Sequence, residues 1–77
     1  MKEMNDLIGE LLKEKILAKG FNYSTFAEKV GFKQSYISKI INGDVKRLPV
    51  ETLQRLVEPL EMTVIGFLQE VEKKRRI

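Results

Sequence analysis

The 77-residue chain contains no cysteine and no histidine. Without cysteine there is no disulfide and no thiolate to attack a substrate or bind a metal. Without histidine the commonest metal ligand and the commonest general base are missing as well. An enzyme made from the remaining residues needs a carboxylate pair in a cleft, and so short a chain has little room for one. Neither catalysis, a metal nor a cofactor is expected, and no small-molecule ligand is implied. No apolar run approaches the roughly 18 residues that span a bilayer. The opening MKEMNDLIGELLKEK puts acids where a secretory signal needs a basic stretch and then an apolar one. A cytoplasmic protein with no membrane contact is expected. Linkers, internal repeats and low-complexity stretches are also missing.

Charge is present, but unevenly. Residues 13–47 hold eight bases against three acids, whereas residues 48–72 hold Arg55 against five acids, and residues 73–77 add four bases. A local basic excess is a candidate phosphate-binding footprint. We expect one domain over 1–72 and a basic tail over 73–77.

The apolar residues recur at helical spacing and nowhere alternate as in a strand. Met4, Leu7, Ile8, Leu11, Leu12 and Ile16 mark a first helix that Gly20 is placed to end. Asn22 is an N-cap for a second helix with Phe26, Ala27 and Val30 inward. Gly31 interrupts it after barely two turns. A third helix is predicted from about Gln34 to Ile41, stopped by Asn42-Gly43. Pro49 suits the first turn of a fourth, with Leu53, Leu56, Val57 and Leu60 as its stripe and Pro59 disturbing its end. Thr63 is an N-cap candidate for a fifth, with Val64, Phe67, Leu68 and Val71 apolar. Five short helices make an all-α fold.

Residues 20–43, GFNYSTFAEKVGFKQSYISKIING, carry the function. Two short helices meet at a turn built on Gly31, and Ala27 is small enough to let the second cross closely. Ile37, Ile40 and Ile41 are expected to point inward. The outward positions of the second helix are Lys33, Gln34, Ser35, Tyr36, Ser38, Lys39 and Asn42. They are donors, acceptors and one aromatic, with no acid among them. Such a face suits a helix that enters a DNA groove.

The sequence resembles the phage-repressor helix-turn-helix family, also called Cro-like or Xre-like. The matching residues are Gly20, Ala27-Glu28-Lys29-Val30-Gly31, Gln34-Ser35, Ile37-Ser38-Lys39-Ile40 and Asn42-Gly43. Pro49 with the Leu53/Leu56/Leu60 stripe matches the family's fourth helix, and Thr63 to Leu68 its fifth. The resemblance covers about residues 7–70 and implies a five-helix, lambda-repressor-like fold. It implies a double-stranded DNA-binding regulator, most simply a repressor acting as a homodimer on a palindromic operator. By position it assigns base contacts to Gln34, Ser35 and Lys39. It assigns backbone contacts to Tyr23, Lys33, Tyr36, Asn42, Lys46 and Arg47. Gln suits adenine N6/N7 and Lys suits guanine O6/N7. The dimer interface is expected on Val64, Phe67, Leu68 and Val71. The rival reading is an antitoxin or adaptor whose main role is to bind a protein partner.

The chain departs from the family pattern in three places. Tyr23 stands where relatives open the second helix with a phosphate-binding Gln. Phe26 replaces the usual Leu. Ile16 and Ile41 together replace an Arg–Glu pair, a double change that leaves no stranded charge and predicts that the two isoleucines pack near each other.

Overall fold

The computed structural model describes residues 3–76. α1 runs Met4–Ala18, α2 Tyr23–Val30, α3 Gln34–Ile41, α4 Val50–Val57 and α5 Val64–Arg76, with a 3-10 turn over Glu58–Leu60. No strand occurs among the described residues. The five expected helices are all there.

Their ends follow from local chemistry. The Asn22 side chain accepts the Thr25 N–H at 2.8 Å, and Thr25 Oγ1 accepts the Asn22 N–H at 3.1 Å. This reciprocal pair satisfies donors that the start of α2 leaves open. Thr63 Oγ1 accepts the Gly66 N–H at 2.9 Å at the start of α5. At the other ends, Gly20, Gly31 and Gly43 have φ of 82°, 78° and 78°. Each lets the next N–H turn back onto the helix: Phe21 onto the Ile16 carbonyl at 3.1 Å, Phe32 onto Ala27 at 3.0 Å, Asp44 onto Lys39 at 2.9 Å. Proline cannot donate to a helical ladder, and at Pro59 α4 has already tightened into the 3-10 turn. Glu61 ends that turn at φ 59°, the single non-glycine in the left-handed region among the described residues.

The core takes side chains from every helix. Leu12, Ile16, Phe26, Ile37, Leu56, Val57, Phe67 and Val71 are the largest fully buried ones, and no polar or charged side chain is buried with them among the described residues. Full burial of one such side chain is worth about 1.5–3 kcal/mol. α1 is the hub: it packs on α3 and on α5, while α2 packs on α3 and α4 on α5.

α1 and α3 approach closely at Gly9, which is buried in α1. A Cβ there would stand 2.6 Å from the Ile40 carbonyl oxygen and 2.8 Å from the Ile41 carbonyl carbon. The end of α3 therefore rests directly on the α1 backbone. Ile16 is fully buried, but it lies two turns, about 10 Å, further along α1 than the crossing. Ile41 is half-buried and sets its backbone against Gly9.

The expected boundary between residues 72 and 73 falls inside α5, because Lys73 to Arg76 continue the helix. Bases suit a helix C-terminus, where they complement the dipole, and acids partner three of these four. Lys74 Nζ lies 2.5 Å from Glu14 Oε2, and Arg75 and Arg76 each lie 3.4 Å from Glu72 Oε1. Ile77, the end of the expected tail, lies outside the described residues.

Candidate nucleic-acid interface

α2 and α3 pack against each other across the turn at Gly31. At 3.6 residues per turn, burial of Ile37 and Ile40 turns Ser35, Lys39 and Asn42 directly outward, with Gln34 on the leading edge. Lys33, Gln34, Ser35, Lys39 and Asn42 are all exposed, and Ser38 is half-buried. The three residues expected to read bases thus share one solvent-facing, acid-free surface. An amide, a hydroxyl and an ammonium can each meet a base edge in a major groove.

The flanks are anchored to the body. Tyr23 is half-buried at the first residue of α2 with its ring against the core. Tyr36 is also half-buried, its ring edge-on to Phe32 with 5.3 Å between centroids. Neither tyrosine is a free surface aromatic. Lys46 and Arg47 are exposed on the loop after α3. Val45 and Leu48 pin that loop to the core, and Asn5 Nδ2 donates to the Lys46 carbonyl at 3.4 Å. The Lys46 carbonyl and the loop's apolar side chains are held while its two cations remain in water.

The expected dimer residues divide. Phe67 and Val71 are fully buried in the chain's own core, because α5 needs them to dock on α1 and α4. They face the chain's own interior, so the expected interface loses both. The apolar stripe of α5 rolls outward instead. Val64 is half-buried, Leu68 is 39% exposed, and Ile65, which the spacing did not single out, is 71% exposed. Val50 on α4 is 68% exposed and shares a shallow groove with Met62, Val64 and Ile65. Arg55 was missed as well; its guanidinium donates to the Val30 carbonyl at 2.9 Å.

Among the charged groups, Lys74 is held above its ordinary pKa, first by its hydrogen bond to Glu14; desolvation opposes this, and the negative charges of Glu14 and Glu10 add to the rise. Among the described residues no group of three acidic side chains converges to hold a metal, and no helix is long and apolar enough to cross a membrane.

Five helices, a glycine turn and an exposed polar helix define a helix-turn-helix protein of the lambda-repressor-like fold. The helix-turn-helix family HTH_3 matches residues 12–67, and the chain belongs to that family, the DNA-binding transcription regulators of the Xre/Cro type. Similar solved structures include the clp gene regulator ClgR from Corynebacterium glutamicum, at 22% identity and TM-score 0.86, covering 95% of this chain and 77% of that one. Another is C.Esp1396I bound to a 25 base pair operator site, at 21% identity and TM-score 0.83, covering 100% of both chains. A third is the SinR–SinI complex, at 28% identity and TM-score 0.77, covering 87% of this chain and 65% of that one. No curated protein sequence matches the chain.

Proposed function

We propose that this cytoplasmic, non-enzymatic domain represses transcription as a homodimer on a palindromic operator. Gln34, Ser35 and Lys39 read bases, while Tyr23, Lys33, Tyr36, Asn42, Lys46 and Arg47 hold the backbone. The observation that carries the reading is the exposed, acid-free face of α3, flanked by the cations of an anchored loop. Phosphate contacts set register and base contacts set sequence, and exposed groups of both kinds lie on α3 and the loop that follows it. The structural neighbour C.Esp1396I, which has been seen on an operator, supports this orientation.

A second copy follows from the size of the reading head. One two-turn helix reads only a few base pairs, and each contributes about 1–3 kcal/mol of discrimination. Two copies on a two-fold axis, with half-sites about 34 Å apart, double the information. Val64, Leu68 and Ile65 on α5, with Val50 across the groove, form the apolar surface for that contact. The same patch favours the second reading, an adaptor or antitoxin that docks a protein there. One titration separates the two. With a palindromic duplex, the dimer reading expects saturation at two chains per duplex and weaker binding by Ile65→Asp at the full site but not at the half-site. Saturation at one chain, or equal affinity for half-site and full site, refutes it.

A further inference from the structure

We propose that Arg55, which lies on α4 outside the reading face, is a positioning residue for the recognition helix. It locks the turn between α2 and α3 and so governs sequence discrimination, not general DNA affinity. The inference rests on the reading of α3 as the base-reading helix.

The last carbonyls of a helix lack intrahelical partners and carry a partial negative charge. At the end of α2 the Gly31 N–H reaches the Glu28 carbonyl at 3.3 Å, and the Phe32 N–H reaches Ala27 at 3.0 Å. The Val30 carbonyl lies beyond these bonds, and Arg55 Nη2 donates to it at 2.9 Å from 25 residues along the chain. The same guanidinium lies over the Phe32 ring, with Cζ 4.6 Å from its centroid, in cation–π range. It also sits on the turn itself, since a Cβ on Gly31 would stand 2.8 Å from Nη2. The edge of Phe32 or Tyr36 then meets the face of the other at 5.3 Å. One planar cation therefore touches the end of α2, the turn glycine and the first aromatic beyond it. Through that aromatic it reaches the first turn of α3.

Chemistry selects arginine for this task. Its flat face stacks while its edge donates, and lysine cannot do both at once. Arg55 is also the one base among five acids in residues 48–72, so a general basic surface does not explain it. Base-edge hydrogen bonds weaken steeply when their geometry shifts, whereas long cationic side chains follow phosphates through small displacements. A loosened turn thus costs specific binding far more than non-specific binding.

The test uses the full chain, the duplex that it selects from a random pool and a scrambled duplex of equal length. Arg55→Met is expected to lose about tenfold or more on the selected duplex and less than about twofold on the scrambled one, with its salt slope unchanged. Phe32→Leu, which keeps the cation, is expected to lose discrimination in the same direction, and Arg55→Lys to restore only part of it. Without DNA, the Gly31 and Phe32 amides of Arg55→Met are expected to exchange about tenfold faster, with the Leu12 and Phe67 amides unchanged. Equal loss on both duplexes with a salt slope lower by about one makes Arg55 a phosphate contact and overturns the proposal. Full recovery by Arg55→Lys, or unchanged exchange at Gly31 and Phe32, overturns it too. A wild-type chain that selects no duplex refutes the base-reading function instead, and the exchange comparison still decides whether Arg55 locks the turn.

Discussion

Replacing Gly9 by alanine adds one methyl group at the crossing of α1 and α3. The new carbon would sit 2.6 Å from the Ile40 carbonyl oxygen and 2.8 Å from the Ile41 carbonyl carbon, and Ile41 oxygen is also in contact. All three obstacles are backbone atoms and cannot rotate away. Ordinary contact needs about 3.5 Å or more, so the helices must part by about 1 Å. A gap of that size forfeits a quarter to a half of the dispersion attraction along the seam. Overpacking of this kind costs about 1–3 kcal/mol, and backbone obstacles place it at the upper end. Alanine returns about 0.8–1 kcal/mol of helix propensity. The net destabilisation is about 2 kcal/mol. A domain of this size melts about 4–8 °C lower per kcal/mol, so the midpoint should fall by about 8–16 °C. Thermal and urea melts followed by circular dichroism measure it. Gly66→Ala is the control, because there the new Cβ meets one side-chain atom, Thr63 Oγ1, at 3.1 Å, and little change is expected. A Gly9→Ala chain as stable as the wild type would show that α1 and α3 do not approach this closely.

Gln34→Ala should weaken binding to the selected duplex by about 1–3 kcal/mol and leave scrambled duplex nearly unaffected, while Arg47→Ala should weaken both and lower the salt slope by about one. Equal losses for the Gln34 variant on the two duplexes would mean that it reads no base. Glu61 occupies the left-handed region, so Glu61→Gly should be more stable than Glu61→Ala by about 1 kcal/mol. Both variants lose the 3.1 Å ion pair with Lys19, which removes that contact from the comparison, and a reversed order in urea melts would contradict the assigned backbone. The Lys74–Glu14 pair raises the lysine pKa above 10.5. Its contribution is fully present below that value and is lost as pH rises through the raised one. The urea midpoints of wild type and Glu14→Gln should therefore differ near neutral pH and converge in strong alkali; a gap that persists there argues against the pair.

The helices were legible because their signals are local. Asn22, Thr63 and the glycines at 20, 31 and 43 each act within one turn of their own position, and burial of Ile37 and Ile40 is enough to aim the rest of α3. The missing features are long-range. Gly9 reads as a gap in an apolar stripe until the α3 backbone is seen lying on it. Arg55 reads as a stray base among acids until its guanidinium is found at the α2 terminus. Spacing assigned Phe67 and Val71 to an apolar face but did not reveal that α1 and α4 already cover it. The same spacing passed over Ile65, which that arrangement leaves in water. The basic run at 73–76 looked like a tail because its partners, Glu14 and Glu72, act only once α5 is docked and helical.

Selection of bound sequences from a random duplex pool, followed by titration of the winner, tests the central claim most directly. A palindromic consensus with half-sites about one helical turn apart is expected, and Gln34→Ala is expected to lose it. Recovery of no enriched sequence, or of one that the Gln34 variant binds as well as wild type does, would contradict it.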